Sequence, residues 1–449
     1  MAIKRSSTTI SSYRQLSPDA LQSLAVALGY GPDCKNGDET PYIKYILSQY
    51  PGKGTLDDYV QLFVKVVEHF ARDDGLNGKG LTLRRTQTNT GSIKKYIDTL
   101  VADATEPYFQ DTPPSSDVRE IAVTDTVLLI LGSWTLMQSY FIPQRGEKRR
   151  ILLAYCMNHG KDFSEALALR ETLPNLLRKS GLLPSSKESA YIKEGATTFY
   201  VKDDDKDPYQ SSQFSLHPSL GSVESLEIAT TTLNAFKLVS LGAVRILWTY
   251  NLSRHMLLSK HAKKHYLELF ALPSALSGGP DKTLRDIGIS GDLIEEIQQS
   301  YANLFNPKKT FFLHRYFGSM VGLRFWCWCL CCSSLRLRDR QLRKLKTESH
   351  AHGSIQLTDS ARPRYDPGLG RLMNAKADRW DQTEFENLWP RIIALDAHLS
   401  GSRPWSFWVI FRDRRDSVQF WTFLFGTVIL LLTFVQVFLG IAQVVGSFN

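Results

Sequence analysis

Between Phe420 and Val445 lie 26 consecutive residues without a charge, 19 of them hydrophobic. Few environments accept such a segment. As an α-helix rising 1.5 Å per residue it would be about 39 Å long, enough to cross a hydrocarbon layer of ~30 Å with some tilt. The alternative is a buried core helix, but these rarely run so far without a charge. Arg412, Arg414 and Arg415 precede the segment and only Gly446, Ser447, Phe448 and Asn449 follow it. The positive-inside rule therefore predicts a cytosolic body. So short a remainder clears the ribosome only when synthesis ends, which predicts post-translational insertion as a tail anchor. Trp405, Phe407, Trp408, Phe411 and Trp421 form an aromatic collar suited to the headgroup interface on the cytosolic side.

Averages over the 449 residues hide this segment. The chain is 43% hydrophobic and 22% charged, with a mean hydropathy of −0.21. Those values exclude a disordered polar chain, a collagen-like rod and a multi-span transporter. The net charge of +9 is also local: residues 1–120 carry 14 basic and 15 acidic side chains, residues 121–240 carry 13 and 13, and residues 241–449 carry 27 and 17. The polar start, Met1 to Leu16, lacks the apolar stretch of a signal peptide and predicts an N-terminus that is not translocated. Of six cysteines, four are crowded at Cys327, Cys329, Cys331 and Cys332, too close for a long-range disulfide framework, so a reducing compartment is expected.

The body reads as helical. Ser17 with Pro18, Ser92, and Thr55 with Asp58 have helix-start spacing before apolar residues at helical periods. Val127 to Ile142 is uncharged but short for a span; it reads as a core helix, with a second membrane segment as the alternative. Residues 163–179 and the series Leu293, Ile294, Ile297, Tyr301 and Leu304 suggest further helices, while Val244 to Trp248 alternates like a strand. The expected fold is mainly α, a multi-helical cytosolic body with minor β plus one C-terminal transmembrane helix. The expected organisation is a small helical N-terminal domain at 1–110, a helical segment with a buried apolar helix at 119–183 and a polar loop or linker at 184–222. A helical core with the Cys/Trp and basic tract follows at 223–346, then a flexible linker at 347–370, a juxtamembrane region at 371–419 and the transmembrane helix at 420–445.

Gly318 to Lys346 is the most unusual local feature. Its four cysteines adjoin Arg336, Arg338, Arg340, Arg343, Lys344 and Lys346, against the single acid Asp339. Such cysteines are chemically suited to lipidation and such a basic face to anionic lipid. A buried helix continuing into a solvated basic face explains the same residues, and C-x-C-x-C-C wraps a tetrahedral zinc ion poorly, even with His350 and His352. Within the span, Thr422, Gly426, Ile429, Thr433, Gln436, Gly440 and Gln443 form one small and polar stripe. It predicts either helix self-association, through Thr433, Gln436, Gly440 and Gln443, or amides solvated at the interface.

Catalytic patterns fail one by one. His261 and His265 have metal-pair spacing, but position 262 is Ala and Lys260, Lys263 and Lys264 repel a cation, so a surface helix is expected. Gly288, Ser290 and Gly291 miss GxSxG because residue 292 is Asp, and Ser290 reads instead as a helix cap. Gly52 to Thr55 and Gly75 to Gly80 miss the phosphate-loop spacing, and Asp203 to Asp205 sit among lysines as solvated charge. Asn251, Leu252 and Ser253 make a glycosylation sequon that would stay unmodified in the cytosol. No catalytic residue, cofactor or metal ligand is assigned.

The tail Arg403 to Gly446, with its DRR triplet, Trp, apolar span and closing Gln, resembles that of a family of filamentous-fungal proteins without an assigned activity. Ile246 to Ser259, the LELFALP that follows, and Phe325 to Cys332 are also similar. The resemblance implies a fungal membrane-anchored protein and no catalytic residues. The expected function is a tail-anchored single-pass protein whose body binds a protein partner at a membrane surface, in the endoplasmic reticulum or secretory pathway. A membrane-tethered enzyme, through His255, His261 or the Asp203 cluster, is the alternative. Anionic-lipid or nucleic-acid binding through the basic tract is third, with nucleic acid disfavoured because a basic tract alone is nonspecific.

Overall fold

The structure, a computed structural model, describes residues 16–31, 40–71, 91–111, 117–143, 148–158, 165–186, 191–192, 227–261, 263–307, 330–350, 365–402 and 417–447. Among these the chain is mainly helical, with sixteen α-helices and a minor sheet component.

The N-terminal half holds nine helices: α1 (Pro18–Ala27), α2 (Pro41–Ser48), α3 (Leu56–Ala71), α4 (Ile93–Ala102), α5 (Asp117–Trp134), α6 (Gln138–Phe141), α7 (Arg150–Asn158), α8 (Glu165–Leu169) and α9 (Leu173–Ser180). Their starts follow local chemistry. Ser17 and Ser92 accept backbone N–H bonds from Ala20 and Lys95, both at 3.2 Å, and Thr55 accepts from the Asp58 N–H at 3.1 Å. In α3, Tyr59, Leu62, Phe63, Val66, Val67 and Phe70 are all buried, so its 3.6-residue period is one core-facing stripe.

The apolar run from Val127 is a core element, with Val127, Leu128, Ile130, Leu131 and Trp134 fully enclosed. It does not continue as one helix. Leu136 takes a left-handed backbone (φ 57°) between α5 and α6. The tight return needs Gly132, where a Cβ would lie 2.8 Å from Phe141 Cβ and 2.9 Å from Gln138 Cα. The helix expected at 163–179 is likewise interrupted: α8 ends at Leu169 and α9 starts at Leu173 with Pro174 in its first turn.

Next come β1 (Tyr191–Ile192), β2 (Glu227–Ile228), α10 (Ala235–Ser240), β3 (Val244–Thr249), β4 (Leu257–His261), β5 (Lys264–Phe270), α11 (Gly279–Asp286) and α12 (Gly291–Phe305). They are followed by α13 (Leu330–His350), α14 (Pro367–Asn374), β6 (Trp380–Asp381), α15 (Trp389–Gly401) and α16 (Ser417–Ser447). A four-stranded sheet has the order β1-β4-β5-β3, with β4 and β5 antiparallel and the outer pairs parallel; β2 and β6 form a separate antiparallel pair. The strand at Val244 is as the alternation predicts. The surface helix expected around His261 and His265 is not formed, because these residues lie on the β4–β5 hairpin, turned at Lys263 with φ 65°. The burial of Leu267 to Phe270 and the pairing of the strand with β3 outweigh an i, i+4 coincidence.

One apolar core runs from Ala20 to Leu399 and joins the helical half to the sheet-bearing half. Tyr45 packs at a tilt against Tyr250, 4.7 Å between ring centres, and Leu252 N–H donates to Leu136 O at 2.8 Å. Gly29, which ends α1 with φ 87°, touches Gly279 at the start of α11, and a Cβ on Gly279 would lie 1.6 Å from Gly29 O. Only glycine permits that approach.

Candidate functional site

Helix α16 stands outside the core. Its 31 residues include the window Phe425–Gln443, with mean hydropathy 2.3 and none of it buried. Phe425, Ile429, Leu430, Phe434, Phe438 and Leu439 are each at least 59% exposed. An apolar surface of this size facing water all round would be strongly unfavourable, whereas in hydrocarbon it costs nothing. The helix is long and apolar enough to cross a membrane, and its backbone polar groups are satisfied within it. On its polar stripe, Thr433 donates back to Ile429 O at 2.9 Å, and Gln436, Gly440 and Gln443 are exposed. Trp405, Trp408, Arg412, Arg414 and Arg415 lie outside the described residues, as does the side chain of Trp421.

Helix α13 carries the basic tract. Cys332, Ser333, Ser334, Leu337 and Leu345 are buried against the body, and Trp248 Nε1 donates to Gln341 at 3.4 Å. The opposite side carries Arg340, Arg343, Lys344 and Lys346, all exposed. Arg336 is half-buried and donates to Ser333 Oγ at 3.0 Å. Arg338 is engaged with Asp339 at 3.0 Å and with Asn374, and Lys346 Nζ lies 4.7 Å from the centre of the Tyr365 ring. Of the cysteines, Cys331 is half-buried and Cys332 is buried, while Cys327 and Cys329 lie outside the described residues.

His255 is fully enclosed, and its bonds define what it can do. Nδ1 accepts from the Phe270 N–H at 3.2 Å, so the ring proton sits on Nε2 and is donated to Ser300 Oγ at 2.8 Å. Ser300 passes its own proton to Ile297 O at 2.7 Å. A base that activates a serine must accept that proton, and here the direction is reversed. Burial first, and the neighbouring Arg391 second, push the imidazole down to about 3, so it stays neutral. His255 is a satisfied core histidine that ties the segment before β4 to β5 and α12.

Directly paired residues share a sheet face and strand neighbours alternate, so His265, opposite Lys260, and His261, opposite Lys264, point to opposite faces. The pair cannot close on one ion. His265 instead meets His398 of α15 at 4.4 Å between ring centres, with His398 Nε2 2.9 Å from Gly242 O. No set of three or more potential ligands gathers among the described residues. Ser290 caps α12 by accepting from Leu293 N at 3.1 Å. Asn251 is occupied, donating to Ser139 Oγ at 2.8 Å and accepting from Ser253 N at 3.0 Å. Gly52 and Gly54 form a turn with positive φ, and Asp203 to Asp205 and Gly75 to Gly80 lie outside the described residues.

Buried charges escaped the sequence reading, among them Arg119, Glu296 and Asp366. Arg119 gathers the carbonyls of Val101 and Phe109, each at 3.1 Å. Glu296 accepts from the backbone of Asn387 and Leu388 at 3.0 and 2.7 Å, before α15. Asp366 caps α14 through Gly368 N and also accepts from Ser274 N, both at 2.7 Å. Burial raises both carboxyls. Asp366 before Pro367 has a readable cap pattern; the partners of Glu296, 91 and 92 residues away, have none.

Comparison with protein-family models, with curated proteins and with solved structures gives no match to this chain.

Proposed function

We propose that the chain is a tail-anchored single-pass membrane protein whose helical body faces the cytosol and acts as a protein-interaction module at a membrane surface. The observation that carries the reading is α16, whose apolar window Phe425–Gln443 is buried nowhere against the described residues. Arg412, Arg414 and Arg415 before it support a cytosolic body. The length of the span favours the endoplasmic reticulum or later secretory membranes. The interaction role is supported by the way polar centres are spent on structure: His255, Glu296 and Asp366 each bond to elements of the fold. The stripe at Thr433, Gln436, Gly440 and Gln443 offers a seam for self-association in lipid. Deleting residues 420–449 is expected to move the body from the carbonate-resistant membrane fraction to the soluble one, and a body that stays integral overturns the topology. Proximity labelling by the full chain and by the deletion variant would identify neighbours that depend on the anchor; labelling that is the same for both overturns a membrane-surface role.

A further inference from the structure

We infer that the exposed face of α13 docks on the anionic headgroups of the same bilayer that α16 spans, an inference that rests on the membrane reading of α16. Leu337 and Leu345 are 6% and 1% exposed, so the helix is held by the core and cannot turn its charges inward. Arg336, Arg340, Arg343 and Lys344 follow one another at helical intervals of four, three and one, and Lys346 lies one turn beyond Arg343. Asp339 is the single acid between Leu330 and Lys346, and it faces Arg338. Arg340 is exposed and has no ion pair among the described residues. Next to Asn374, which Arg338 contacts, Arg371 and Lys376 are exposed as well.

The chemistry of this face suits a charged surface better than a nucleic acid. Among the described residues of the helix the exposed ones, Asp339, Arg340, Arg343, Lys344, Lys346 and Thr347, include no aromatic ring on which a base could stack. Residues 402–416, between Gly401 and Ser417, can span about 50 Å at most when extended. The body is therefore confined near its own bilayer, and contact becomes an intramolecular event in which modest attraction suffices. Each Lys or Arg close to an anionic leaflet strengthens binding roughly 5-fold.

The test uses the full chain in lipid nanodiscs of phosphatidylcholine, with or without about a third phosphatidylserine, and a photo-crosslinking amino acid at position 347. Lipid adducts are expected to rise with phosphatidylserine and to fall in high salt. The triple variant Arg340→Glu, Arg343→Glu, Lys344→Glu should cut them by ~10-fold or more. All three side chains are exposed, so the far-ultraviolet circular dichroism should be unchanged; if the triple variant fails to fold, the milder Arg340→Gln, Arg343→Gln pair replaces it. An integrated chain whose adducts ignore both phosphatidylserine and the substitutions overturns the docking and leaves the anchor standing. Salt-sensitive capture of RNA by that same face, with no response to phosphatidylserine, also overturns it. A chain that does not integrate at all overturns the membrane reading, and the docking with it.

Discussion

Replacing His255 by Gln tests whether this imidazole is a structural strut. The side chain is fully buried, with Nδ1 taking the Phe270 N–H and Nε2 giving its proton to Ser300. In His255→Gln the amide oxygen and nitrogen can fill the same two roles, so the cost at neutral pH should be about 1 to 2 kcal/mol. The pH dependence is the sharper measurement. The folded imidazole is pushed down to about 3, whereas the unfolded one titrates near 6.5. Below pH 6.5 the unfolded chain therefore binds a proton that the folded chain refuses. Stability contributed by the neutral ring is present above that pH and is lost as the pH falls toward 3. At ~1.4 kcal/mol per unit, His255 alone removes about 3 kcal/mol between pH 7 and pH 4. His265, lowered by burial, His398 and Lys260, works in the same direction. The carboxyls of Glu296, Asp366 and Asp396, raised by burial, work in the opposite one. Comparing wild type with the variant removes these shared contributions. Urea unfolding of the full chain in detergent micelles, followed by circular dichroism, should show the variant losing ~3 kcal/mol less than wild type over that range. Equal losses, or a His255 ring that titrates near 6.5 by nuclear magnetic resonance, would refute the tautomer and the role derived from it.

Other consequences are simpler to read. Gly279→Ala forces a Cβ onto Gly29 O and should lower stability by about 1 to 3 kcal/mol, visible as a reduced thermal midpoint; an unchanged midpoint would mean the two backbones are not in contact. Asp366→Ala removes the acceptor of two N–H groups at once, and a loss of about 2 to 4 kcal/mol in urea unfolding is expected. Val435→Arg, in the middle of the exposed apolar window, adds about 2.5 to 3.5 kcal/mol to insertion. A marked fall in the carbonate-resistant fraction should result, and full retention would speak against a spanning α16.

What was legible in the sequence was local. Ser17, Ser92 and Ser290 announce their helices because a cap and its first turn lie within four residues, and α16 announces itself by its uncharged apolar length. The basic tract was readable as a helix, and Leu337 and Leu345 then show which side is held down. What was hidden depends on partners far along the chain. His261 and His265 looked like one helical face because their spacing fits a helix. The antiparallel pairing of β4 with β5, held in the sheet by the contact of β5 with β3, puts them on opposite sides. The strand order β1-β4-β5-β3 and the bond from Glu296 to Asn387 are equally unreadable, since nothing local marks which distant segment will supply the partner.

The glycine contact between α1 and α11 sets a timetable for the newly made chain. Gly29 meets a residue made 250 positions later, which at cellular rates of 5 to 20 residues per second means a wait of roughly 12 to 50 s. During that interval the faces of α1 and α2 that settle against the later segments stay open to passing chaperones. Helix α16 is made later still, after Gly279 has become available to close that contact. A delay in synthesis between residues 29 and 279 should therefore show as aggregation of the unfinished body.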